Sequence, residues 1–93
     1  MYTAAGAGLA RPLPKGARFG GVTGGLVVYR AGSTARILRL SDGRDRRLVT
    51  LKGLADVQIT PAGVFYAAEV PAKGGVRGLV AYVPMRDALH KLR

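Results

Sequence analysis

The sequence predicts an all-β, mostly antiparallel domain of about six strands, closed by a short C-terminal α-helix. Three observations carry that expectation. First, Gly25-Leu26-Val27-Val28-Tyr29 and Gly63-Val64-Phe65-Tyr66-Ala67 open two similar apolar segments, 38 positions apart from 25 to 63. A recurrence of this size belongs to arrays of supersecondary units. Second, the longest apolar runs are four or five residues long and each follows a Gly, which is strand punctuation. Third, Ser41-Asp42-Gly43-Arg44 carries the Asp-Gly pair that favours hairpin turns matched to strand twist.

Each element follows in order. Residues 1–24 are rich in Gly, Ala and Pro and read as a flexible, extended arm. Within them Arg11-Pro12-Leu13-Pro14-Lys15-Gly16 excludes a helix interior or a central strand, because each proline removes a backbone donor. Gly20-Gly21 and Gly24-Gly25 read as breakers. The folded unit is expected over residues 25–93. Leu26 to Tyr29 is continuously apolar, so both faces of that strand need cover. Ala31-Gly32-Ser33-Thr34 makes a turn, and Ala35 to Leu40 is the next strand. Arg46 to Leu51 returns, in a register left open because either pairing sets two arginines opposite each other. Val57 and Ile59 alternate with Gln58 and Thr60, the mark of a half-buried strand. Pro61-Ala62-Gly63 turns the chain into the apolar strand Val64 to Val70. Pro71 to Arg77 reads as a Gly-containing loop, and Gly78 to Val83 as the last strand. Met85, Ala88, Leu89 and Leu92 then fall at i, i+3, i+4 and i+7, one face of a helix. Pro84 suits its first position, and Lys91 and Arg93 suit its negative end.

Composition bounds the function. Ninety-three residues make one small domain, and such a chain buries only about 60–65% of its unfolded surface. Stability is therefore expected to come from a compact core, from oligomerisation, or from being part of something larger. The absence of cysteine removes disulfides and thiolate metal sites. No apolar run approaches the roughly 20 residues that span a bilayer, and the first residues lack the pattern of a secretory signal. The net charge of +10 attracts nucleic acid or anionic surfaces. It also reads as compositional bias, since 11 of the 15 cations are arginine and the charges are spread along the chain.

The catalytic inventory is thin. His90 sits on the expected helix, beside its apolar face. Glu69 lies near the end of an apolar strand and is expected to pair with an arginine. Asp42 serves the turn. Neither Ser33 nor Ser41 sits in a nucleophile elbow. Gly20-Gly21-Val22-Thr23-Gly24-Gly25 lacks the Lys-Ser/Thr of a phosphate loop and precedes a strand. No catalytic, metal-binding or cofactor-binding residue is assigned, and no cofactor is expected. The strongest partner signal is a basic hairpin: Arg36, Arg39, Arg44, Arg46, Arg47 and Lys52 are the candidate contacts to an anion or nucleic acid. The aromatic residues Tyr29, Phe65, Tyr66 and Tyr82 lie inside apolar strands and read as core.

Two stretches resemble a known family. Ile37-Leu38-Arg39-Leu40-Ser41-Asp42-Gly43 with Leu48-Val49 looks like the outer hairpin of a β-propeller blade. Ala55 to Tyr66, through Thr60-Pro61-Ala62-Gly63, resembles the blade junction of bacterial TolB-type propellers. The resemblance spans residues 25–84, about two blade lengths. It departs from the Trp-Asp repeat pattern in having no Trp and no Gly-His pair. Propellers close with four to eight blades. The resemblance therefore implies the terminal blades of a larger, non-enzymatic scaffold or protein-interaction module, or a subunit of a homo-oligomeric ring. Two alternatives stand beside it: a small basic β-domain that binds nucleic acid, and a non-catalytic fragment of a propeller enzyme.

Overall fold

The computed structural model describes residues 13–93. They form seven strands and one helix: β1 (Arg18–Thr23), β2 (Leu26–Ala31), β3 (Thr34–Arg39), β4 (Asp45–Thr50), β5 (Leu54–Thr60), β6 (Gly63–Ala72), β7 (Gly75–Pro84) and α1 (Met85–Lys91). The strands make two antiparallel meanders, sheet A in the order β1-β2-β3-β4 and sheet B in the order β5-β6-β7. The all-β class and the closing helix match the expectation.

The arm expected over residues 1–24 is reduced by β1, whose strand runs along β2 from Arg18 to Thr23. The part of the arm before residue 13 lies outside the described residues. Of the glycines read as breakers, Gly24 and Gly25 do break the chain, at positive φ in the turn between β1 and β2, whereas Gly20 lies inside β1 and has a packing role instead. At Gly20 an added Cβ would fall 2.2 Å from the Val57 carbonyl oxygen of β5. Only a residue without a side chain lets the two sheets approach so closely there.

Two faces of sheet A are buried for different reasons. Leu26 and Val28 of β2 and Ala35 and Ile37 of β3 face sheet B. There they meet Leu54, Val57 and Ile59 of β5, Val64 of β6, and Ala88 and Leu92 of α1. The opposite face carries Val27, Tyr29 and Leu38, covered by Leu13, Ala17, Ala31 and Leu40. Segment 13–17 thus lies across the outside of sheet A, and the continuous apolar run of β2 is explained by cover on both sides.

Strand β6 is not the equivalent of β2. Its inner residues Val64 and Ala68 are buried, whereas Phe65 on the outer face is 37% exposed. The sequence predicts cover on both faces of β2 and places the aromatic residues of β6 in the core as well. In sheet B no described residue covers the outer face, so the pairing of the two strands holds in order but not in environment.

The connections also differ from the reading in instructive ways. Leu40 to Arg44 link β3 and β4, and the backbone N–H of Gly43 donates to the Arg39 carbonyl at 2.8 Å. The loop is therefore longer than a two-residue Asp-Gly turn. Conversely, the loop expected over residues 71–77 is a tight turn at Lys73-Gly74, with Ala72 opposite Gly75 and Gly74 at φ 85°. Pro71 can lie in β6 because β5 has already ended: its last pairing with β6 is Leu54 opposite Ala68. There β6 is no longer a central strand, and the missing donor is tolerated.

Helix α1 packs by Ala88 and Leu92, which are both buried, while Leu89 is 42% exposed. Pro84 occupies the position before the first helical residue, and the Leu92 carbonyl accepts a 3.0 Å hydrogen bond from Arg44 Nη1. That contact ties the helix end to the β3–β4 loop and satisfies one carbonyl the helix leaves open. Among the described residues no helix is long and apolar enough to cross a membrane.

Candidate functional site

Register decides which side chains share a face, because directly opposed residues point the same way. Arg36 opposes Arg47, and Ile37 opposes Arg46. The open register is thus resolved with one arginine pair face to face. The two residues after it on β4, Leu48 and Val49, both reach the inter-sheet core at the irregularity between Ala35 and Arg36.

The six candidate basic residues are not brought to one surface. Arg36 and Arg47 share the outer face of sheet A. Arg46 and Arg39 follow the opposite parity, opposed to Ile37 and Leu26. Arg44 belongs to the loop and Lys52 to the β4–β5 connection. Several are also engaged. Arg36 Nε donates to Asp45 Oδ1 at 2.7 Å. Arg39 Nη2 donates to Asp42 Oδ2 at 2.6 Å. Arg44 holds the end of α1. Asp42 also accepts from the Arg44 backbone N–H at 3.0 Å, so it serves the turn as expected. The Arg39 guanidinium, then the Arg44 N–H, hold the Asp42 carboxyl well below the usual carboxylate range. Arg46, Arg47 and Lys52 remain exposed.

On the outside of sheet A, Tyr29 is fully buried and donates its hydroxyl to Asp45, which also receives Arg36. Burial first, then the bond to Asp45 and its charge, push the Tyr29 phenol above its ordinary value. This Tyr29–Asp45–Arg36 arrangement closes a polar bridge across β2, β3 and β4. It ties the three strands together through side chains as well as through the backbone ladder.

The outside of sheet B is different in kind. Phe65 and Tyr82 oppose each other, with ring centroids 4.7 Å apart, and are 37% and 47% exposed. The reading of these two rings as core is corrected here: their strands turn them to the uncovered side. Val80, opposite Ala67, is 76% exposed, and Val76 is 71% exposed. Asp56, Gln58, Phe65, Tyr66, Ala67 and Val80 line a shallow concavity of about 200 Å³. This is below the roughly 300–1,000 Å³ of small-molecule sites. Glu69, opposite Gly78, makes no ion pair among the described residues, contrary to the expected arginine partner. Asp56 makes none either; its carboxylate accepts the Val57 N–H at 2.9 Å.

The edge of this sheet adds backbone to the surface. Strand β7 pairs only with β6 among the described residues. A strand at an edge presents alternate N–H and C=O groups outward, a template for another strand. From Glu69 to Asp87 no residue is buried. The distal half of the β6–β7 hairpin therefore stands outside the core of a molecule measuring 54 × 28 × 21 Å.

His90 is exposed in the last turn of α1. Among the described residues no three His, Cys, Asp or Glu side chains gather closely enough to hold a metal ion. Comparison of the chain with protein-family models, with curated proteins and with solved structures finds no match.

Proposed function

We propose that this chain is a non-catalytic protein-interaction module that presents the outer face of sheet B, with the edge of β7, to a protein partner. The observation that carries the reading is the uncovered Phe65–Tyr82–Val80 surface. Contiguous exposed apolar area of this kind marks an interaction site in a water-soluble fold. Paired aromatic residues are the anchors such interfaces favour. The propeller-type scaffold gains less support, because it asks for two equivalent strands shielded on both faces and β6 is covered on one face where β2 is covered on two. The nucleic-acid alternative gains less support. It needs cations beside the stacking rings, and the register puts no lysine or arginine on the outer face between Asp56 and Tyr82.

A photoreactive amino acid at position 80, incorporated in cells, tests the reading. A discrete protein adduct is expected from position 80 and none from position 46 on sheet A. No adduct from position 80 or position 82 would remove this proposal.

A further inference from the structure

The interaction reading leaves the partner open, and the charge layout of the two sheets narrows it. Residues 13–52 carry nine Lys or Arg against two acids, and residues 53–93 carry five against three. The outer faces sharpen this contrast. On sheet B the outward positions hold the carboxylates of Asp56 and Glu69 and no cation. On sheet A the outward acid, Asp45, is occupied by Tyr29 and Arg36, which leaves Arg47 as the outstanding charge. Lys15, in the segment that crosses this side, adds a second exposed cation.

Apolar surface follows the same pattern of complement. Phe19 and Val22 of β1 oppose Tyr29 and Val27, so they share the outer face of sheet A, and they are 62% and 54% exposed. Phe65, Val80 and Tyr82 are their counterparts on sheet B. Each chain thus has an exposed apolar strip on β1, beside the part of sheet A that segment 13–17 covers and on a side that carries cations. On the opposite side of the sandwich it has an uncovered apolar face edged with carboxylates. Two sheet-B faces brought together would set carboxylates against carboxylates, and two sheet-A faces would set cations against cations. Only the mixed contact joins opposite charges.

We propose that copies of this chain associate head to tail, the outer face of sheet A of one copy against the outer face of sheet B of the next. The proposal rests on the interaction reading and names its partner as a second copy. Such a heterologous contact uses a different patch on each copy. It builds rings when its rotation closes and filaments when it does not.

Two blocked variants test it on the full chain. Val22→Glu obstructs the sheet-A face, and Val80→Glu obstructs the sheet-B face; both residues are exposed, so circular dichroism should show both variants folded. Asp56→Lys provides a second sheet-B block by charge alone. By sedimentation, the unaltered chain should gain mass with concentration, and each variant alone should remain monomeric. An equimolar mixture of Val22→Glu and Val80→Glu should double in mass and stop there, since only one competent contact remains. Salt should weaken that dimer. A monomeric unaltered chain at low salt overturns the proposal, as does a dimer that survives Val22→Glu but not Val80→Glu, which would indicate a two-fold contact. A monomer in solution together with an adduct to a different protein from position 80 would leave the interaction reading standing and remove self-association.

Discussion

At the scale of single residues, Tyr29 shows how one side chain joins three strands. Its ring fills the outer core of sheet A and its hydroxyl satisfies Asp45. The phenolate is disfavoured in the fold, so the folded value lies above the unfolded one. The sign follows by linkage. The stabilisation is fully present below the ordinary phenol value of about 10 and is lost as pH rises through the higher folded value. In an alkaline titration followed by tyrosine absorbance, a final step should appear above the ordinary phenol value, together with loss of the fold. Tyr29→Phe should abolish that final step and cost roughly 1 kcal/mol at neutral pH, the net worth of one buried hydrogen bond. If Tyr29→Phe leaves the late step unchanged, the Tyr29–Asp45 bond is not what holds that proton.

At the scale of elements, local stability should follow burial rather than strand length. Strands β6 and β7 are the longest, at ten residues each, yet past Ala68 their hairpin has no buried residue. Amides of Val70–Arg77 should therefore exchange far faster than those of Val28 and Ile37, which should open only with the whole molecule. Equal protection across β6 would mean that something covers the distal hairpin. The same elements show what was legible in the sequence. Strands β2 to β6 were readable because apolar runs, alternation and turn residues act locally. Strand β1 was not, because Gly20-Gly21 suits a break as well as a close crossing, and only the nearness of Val57 distinguishes them. The Lys73-Gly74 turn was hidden behind Pro71, whose tolerance depends on where β5 stops. The candidate site was legible only in composition. Cations separated by one or two positions in sequence were expected to cluster, but strand parity sends Arg46 and Arg47 to opposite faces. The exposed Phe65–Tyr82 pair was missed because an apolar strand does not say which side is covered.

At the scale of the molecule, the two meanders depend on each other. Sheet A offers Leu26, Val28, Ala35 and Ile37 to a core completed only by β5, β6 and α1. Chain connectivity between the halves is short, through Leu51 to Gly53. Separated, each half would expose its inner face. Each sheet would then leave that apolar face in water and lose the burial that offsets the entropy of ordering its residues. Fragments 1–52 and 53–93 should accordingly be unfolded alone, with little near-ultraviolet signal, and should recover strand content on mixing. Large-to-small changes at the shared core should act across the divide. Ile37→Ala in the first fragment should weaken reassembly by about 2–5 kcal/mol, the usual cost of deleting such a buried side chain. Independent folding of either fragment would make each sheet an autonomous unit. The contact between them would then be one more surface interface, and the outer faces would have no claim to be different in kind from the inner ones.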